Sequence, residues 1–192
     1  IIKGLPKTER APILSLFRGF SAPVKWESDN SLEDYFYLLE NDDDLFSRWD
    51  ASQILMRQVI LKRINDERDS ELETSLMYSF DKLISEFGFS NPALISLLLK
   101  VPGMSELEEL NDDINPIKSY KEKLKFENFI GASLYENFQD LLNVCSLSWE
   151  KTWPEGYGQR KLTESLWSFL ARQGDKKVLN DTLNSINSSS MT

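Results

Sequence analysis

"LFSRWDASQILMRQVILKRI", residues 45–64, is the stretch that decides the class of this protein. Trp49, Ile54, Leu55, Met56, Val59, Ile60 and Leu61 spread around much of a helical circumference instead of marking one stripe. A helix with so wide an apolar face has to be covered on two sides. The stretch therefore predicts a packed array of helices with this one inside it.

Downstream, the start signals of further helices are written out. Ser70 followed by Glu73, and Ser105 followed by Glu108, have the spacing of a reciprocal cap, in which hydroxyl and carboxylate satisfy two free N–H groups. Asn91-Pro92 and Asn115-Pro116 pair an Asn cap with proline at the first helical position, where no N–H is missed. Leu72, Leu76, Phe80, Leu83, Ile84 and Phe87 mark one face of a helix that stops at Gly88. Phe126, Ile130, Leu134, Phe138, Leu141 and Cys145 mark what reads as the longest helix. Leu162, Leu166, Phe169 and Leu170 mark a later one that ends near Gly174. The segment between Leu147 and Gly158 has turn chemistry and reads as an irregular connection. The expected architecture is mainly α, an array of stacked antiparallel helix pairs.

Upstream, Ser31 and Asp34 begin one more helix with the same cap, and before it the pattern changes. Residues 1–5 and 12–18 read as a β ribbon turning through "PKTERA". Two strands alone are marginally stable, so the ribbon is expected to be the tail of a β domain whose other strands lie upstream. The start "IIKGLPKTER" has neither an initiator Met nor the plan of a signal peptide, and is read as the middle of a longer chain.

Composition narrows the chemistry. The chain has 192 residues and a formal net charge of −9, which argues against a nucleic-acid partner. The densest basic stretch, Lys118 to Lys125, is interleaved with Glu122. No run of about eighteen apolar residues is present to span a membrane. There is no histidine, which removes Ser-His and Cys-His pairs and the commonest zinc ligand. Cys145, the single cysteine, stands in the apolar "LLNVCSL" and reads as a buried structural thiol in a reducing compartment. The acidic runs at residues 41–46 and 108–113 read as solvated helix caps, since neither has the spacing of a calcium loop.

Two segments carry a resemblance. "PILSLFRGFSAPVKW" followed by "LFSRWDASQIL" is similar to the bacterial alanyl aminopeptidase N type of zinc metallopeptidase, the gluzincin aminopeptidases. The likeness continues through "NPALISLLLKVPGMSELEE" and "INPIKSYKEKL", and less closely through "GQRKLTESLWSFLA". It implies that residues 1–27 are the last strands and linker of an immunoglobulin-like β-sandwich domain. Residues 28–192 would be the first part of an α-superhelical, ARM-like C-terminal domain. The implied parent is a cytoplasmic enzyme that releases N-terminal residues from peptides with a zinc-activated water. Its partners would be the upstream catalytic and β-sandwich domains of the same polypeptide. The family's His-Glu-x-x-His and Gly-x-Met-Glu-Asn motifs do not occur here, so this chain is expected to bind no zinc and to be inactive alone. Composition by itself also admits a free-standing acidic helical-repeat module for a basic partner.

The resemblance sets the candidate site residues, which are structural and interdomain: Arg18, Phe20, Ser21 and Pro23 in the linker, with Phe46, Arg48, Trp49 and Asp50 on the helix. The linker "RGFSAP" is expected to dock onto "SRWDA", with the Arg48 fork satisfying carbonyls that the proline turn leaves free. No residue is expected to be catalytic or to bind metal. Apolar residues near the two ends (Ile13, Leu14, Leu16, Phe17; Val178, Leu179, Leu183, Ile186) are expected to drive self-association.

Overall fold

The computed structural model describes residues 12–16, 18, 19, 28–108, 115–145 and 156–180. Among these, the regular structure is helical and no strand occurs. The expected β ribbon falls largely outside the described residues, and its described part, residues 12–16, 18 and 19, is coil and turn. Phe17, Leu183, Ile186 and the connection over residues 146–155 also lie outside them.

The central element is α2 (Leu45–Ile64), with the bounds its pattern predicts. It packs against α1 (Leu32–Asn41), α3 (Ser70–Phe87), α4 (Pro92–Leu98) and α6 (Pro116–Ser133). Leu55, Met56, Val59 and Ile60 are buried, and Trp49 packs at the edge of the same core. The short α5 (Met104–Glu108) sits on α6, while α7 (Tyr135–Cys145) and α8 (Tyr157–Arg172) close the far side. There α8 packs on α4, α6 and α7. Gly158 allows that approach, because a Cβ there would stand 3.0 Å from the Ala93 nitrogen.

Helix starts follow the sequence at three places. Ser31 and Asp34 form the reciprocal cap of α1. Asn91 accepts from the Leu94 N–H at 3.2 Å, and Asn115 from Ile117 at 3.0 Å and Lys118 at 3.2 Å. Two expected caps are displaced. The cap of α3 is Asp69, one residue earlier than Ser70, because Glu73 turns inward to two arginines instead of back to the cap. At α5 the helix opens at Met104, and the Gly103 N–H donates to Glu106 Oε2 at 2.7 Å, so Ser105 lies inside the first turn.

The stripe from Phe126 to Cys145 is buried throughout, but it belongs to two helices broken at Leu134. Leu134 sits at φ −111°, ψ 21°, away from helical values. Hydrogen bonds from Leu134 to the Ile130 carbonyl and from Phe138 to the Leu134 carbonyl bridge the break, so the apolar period survives it. At 20 residues α2, not this stripe, is the longest of the described helices. Gly88 ends α3 in right-handed geometry, with φ −53°. Glycine is needed there for closeness: a Cβ would lie 2.5 Å from the Ile84 carbonyl oxygen and 2.7 Å from Leu141 Cδ2. Cys145 is buried, and burial pushes its thiol up, as expected of a structural cysteine.

Candidate functional site

The site residues converge on the turn between α1 and α2. Asp44 caps α2, accepting the Ser47 N–H at 2.9 Å and the Ser47 hydroxyl at 3.1 Å. Its other oxygen accepts the Gly19 N–H at 2.9 Å. Arg18 donates through Nη1 to Asp42 Oδ1 at 3.0 Å and through Nη2 to Asp43. Ser15 and Ser47 hydroxyls meet at 3.1 Å, and Asn30 Nδ2 donates to the Leu14 carbonyl at 3.1 Å. The acidic run at residues 41–46 is thus a cap, as its sequence reads, but it is not simply solvated. The Asp42 side chain is 3% exposed and holds a cation from the linker.

The electrostatics follow that geometry. Burial would raise the Asp44 carboxyl, yet hydrogen bonds from Ser47 and Gly19 outweigh it and hold it below the usual carboxylate range. The hydrogen bond from Arg18 lowers Asp43.

Arg48 is buried, and its Nε donates to the Asp42 carbonyl. Its guanidinium lies 4.9 Å from the centroid of the Phe87 ring, so the side chain ties the α1–α2 turn to the end of α3. Among the described residues, the carbonyl it serves is that of Asp42. Phe20, Ser21 and Pro23 lie outside the described residues, so what stands near Arg48 from that segment is not part of this geometry.

Phe46 and Trp49 stack at 5.6 Å between ring centroids with the planes tilted by 42°. With Leu45, Asn91, Ala93, Leu94 and Leu97 they line an apolar cleft of about 370 Å³ between α2 and α4. Asp50 follows one turn after Phe46 and is half-buried. Burial pushes its carboxyl up, and the charge of Arg57 pulls it only partly back.

Sequence reasoning missed a second polar cluster. Glu73, 1% exposed, accepts from Arg63 Nε at 2.7 Å and from Arg68 Nη2 at 2.9 Å. The Arg63 guanidinium also lies 5.4 Å from the ring centroids of both Phe126 and Phe129. The three charges straddling the α2–α3 turn in "RINDERDSELE" were the available signal. Among the described residues, no group of three or more His, Cys, Asp or Glu is placed to hold a metal ion. No described helix is long and apolar enough to cross a membrane.

A helical-repeat domain with residues 14, 15, 18 and 19 docked on its first helices is the class that this fold and junction define. The chain belongs to the family described as "Domain of unknown function (DUF3458_C) ARM repeats", which matches residues 32–192. It is 34% identical over 105 residues to Aminopeptidase N of Caulobacter vibrioides, a match covering 55% of this chain and 12% of that protein. To Aminopeptidase N of Escherichia coli it is 26% identical over 163 residues, covering 83% of this chain and 19% of that protein. The fold matches a crystal structure of Legionella pneumophila aminopeptidase A in complex with aspartic acid. The TM-score is 0.77 at 24% identity, over 91% of this chain and 21% of that one. This chain therefore spans about a fifth or less of the relatives it matches. The resemblance to the aminopeptidase N type drawn from the sequence is borne out.

Proposed function

We propose that this chain is a non-catalytic, C-terminal helical segment of a zinc-dependent aminopeptidase that releases N-terminal residues from peptides in the cytoplasm. Residues 28–192 form the first part of a helical bowl over the active-site chamber, and residues 1–27 complete the β-sandwich before it. The observation that carries this reading is the agreement of sequence and fold with aminopeptidases over most of the chain. The docking of Arg18 and Gly19 on the α1–α2 turn supports the linker's role, since it ties the leader to the helical domain through charge-assisted bonds.

Zinc belongs elsewhere in this reading. The sequence has no histidine, and the described carboxylates and thiol gather no ligand set, so the residues here do not fit the metal. Catalysis would come from the upstream domain of the same polypeptide. This segment would limit what reaches it to short or unfolded peptides.

The test compares two proteins. A polypeptide extended upstream of Ile1 through a His-Glu-x-x-His motif is expected to hydrolyse alanine anilide and to lose that activity on zinc chelation. The 192-residue chain alone is expected to show neither turnover nor stoichiometric zinc. Turnover by the short chain, or an upstream sequence without the motif, would refute the reading.

A further inference from the structure

The leader, described at residues 12–16, 18 and 19, holds to the helical array differently from any helix. Among the described residues it forms no backbone-to-backbone hydrogen bond, and each bond it does make involves a side chain. Arg18 forks onto Asp42 and Asp43, and the Gly19 N–H donates to Asp44 Oδ2. The Ser15 and Ser47 hydroxyls meet, and Asn30 Nδ2 donates to the Leu14 carbonyl. Ile13 packs against the core, whereas Leu14 and Leu16 are 47% and 38% exposed. The Arg18 side chain is itself 47% exposed and its partner Asp43 86%. Exposed ion pairs are weak and screened by salt, so this attachment is far weaker than the apolar burial that holds the helices.

The turn that receives the leader is built without it. The Asp42 N–H donates to the Leu38 carbonyl at 3.0 Å, and Asp42 Oδ1 accepts the Asp44 N–H at 2.8 Å. Arg48 holds the Asp42 carbonyl from the core side, and Asp44 Oδ1 caps α2 through Ser47. All four bonds lie within residues 38–48, so they survive the departure of Arg18 and Gly19. The two arms of the Arg18 fork differ in strength. Asp43 already faces water and loses little with its cation, while Asp42, whose side chain is 3% exposed, is the contact that resists opening.

We propose that the leader is a latch: Arg18 and Gly19 leave the Asp42–Asp44 turn together, while α1 and α2 keep their caps and their packing. The turn is the fixed half and the leader the moving half. Opening of this kind is local unfolding, with a free energy well below that of the whole array. Salt favours it, because it screens Arg18 from the carboxylates. The inference goes beyond the enzymatic reading and stands without it, since it rests on residues 13–48 alone.

The test digests the 192-residue chain with a trace of trypsin and follows the cut between Arg18 and Gly19 by mass spectrometry. A clasped Arg18 cannot enter a protease pocket, so at low protease the rate reports how often the latch is open. The free peptide acetyl-Leu-Phe-Arg-Gly-Phe-Ser-amide, the chain's own residues 16–21, calibrates the protease at each salt concentration. Relative to that peptide, cleavage should rise about three- to tenfold between about 20 mM and about 500 mM salt. Asp43→Asn should raise it about two- to fivefold at low salt, the worth of an exposed pair. Asp44→Ser, which keeps a cap for α2 but no second acceptor for Gly19, should raise it about fivefold. The urea midpoints of both variants should stay close to that of the native chain. Asp66→Asn, the same charge change at an exposed pair with Lys118, should leave the rate unchanged. Cleavage with the urea dependence of global unfolding would make the leader part of the cooperative core and overturn the proposal. So would a native rate equal to the free peptide's, or a rate indifferent to salt and to Asp43→Asn. An equal rise in Asp66→Asn would assign the effect to net charge, which also overturns it.

Discussion

Replacing Glu73 by glutamine tests how far buried charge holds the helices together. Glu73 is 1% exposed, and the Arg63 side chain paired with it is 6% exposed. Removing one partner of a buried pair leaves the other charge uncompensated, at a cost of about 3–5 kcal/mol. Here the lower end applies. The substituted amide would keep one carbonyl acceptor, and Arg63 would keep its two aromatic neighbours, Phe126 and Phe129. Arg68, 59% exposed, adds at most about 1 kcal/mol. A loss of about 3 kcal/mol is a large part of the roughly 5–15 kcal/mol of an ordinary domain. The assay is urea denaturation followed by circular dichroism, which reads the loss as a lower midpoint. The pH dependence gives an independent check. Burial would raise the Glu73 carboxyl, but hydrogen bonds from Arg68 and Arg63 outweigh it and set it below its ordinary 4.5. A carboxyl lowered in the folded state stabilises fully above its unfolded value, and that stabilisation is lost as pH falls through the folded one. The native and Glu73→Gln curves should therefore diverge at neutral pH and converge in acid below that range. A loss under about 1 kcal/mol at neutral pH would refute the reasoning, because the cluster would then be no better than a surface pair.

Arg48→Ala should cost about 1–3 kcal/mol, because the Asp42 carbonyl loses a buried donor. Urea denaturation reads it, and Arg48→Lys should rescue little, since an ammonium cannot both reach that carbonyl and stack on Phe87. Gly88→Ala should destabilise by about 1–3 kcal/mol, because the Ile84 backbone oxygen cannot move aside as a side chain can; thermal unfolding measures it. Asp50→Asn should be neutral or stabilising at neutral pH. Burial raises the Asp50 carboxyl, so the stability it contributes is present in acid and lost as pH rises through its folded value. Denaturation at acid and neutral pH should show the gain at neutral pH alone.

Much of the helical scaffold was legible because it depends on local chemistry. The bounds of α2 follow from its pattern, and the caps at Ser31, Asn91 and Asn115 follow from side chains that reach only their own first turn. The displaced cap at Asp69 shows where that logic stops. Ser70 and Glu73 have capping spacing, but Glu73 meets Arg63 from another helix, and the buried ion pair prevails over a surface cap. The break at Leu134 was hidden for the opposite reason. The apolar period runs through it unbroken, so periodicity reports a continuous face and not a continuous helix. At the candidate site, Arg48, Trp49 and Asp50 stood out through resemblance. The burial of Asp42 could not be read from an acidic run, since it depends on Arg18 arriving from the linker. That Asp50 is half-buried, with no hydrogen-bonding partner among the described residues, depends on packing that no spacing encodes.

The two buried arginines explain why α2 can be apolar around so much of its surface and still sit in one orientation. Apolar contacts are non-directional, and a helix apolar on several sides gains nearly the same burial in several rotations. Arg48 and Arg63 stand fifteen residues apart, roughly 22 Å along the axis at the helical rise. Each has one hydrogen-bonded oxygen partner and at least one aromatic ring from another helix. Arg48 has the Asp42 carbonyl and Phe87, and Arg63 has Glu73 with Phe126 and Phe129. Rotating or sliding α2 by one residue would carry both guanidiniums away from these partners and leave them buried and unpaired, the costliest state for a charge. The apolar residues thus supply most of the cohesion, while the arginines select the register. The same register sets Phe46 and Trp49 against α4. The cleft and the linker-binding turn are therefore held by one rigid element pinned at both ends.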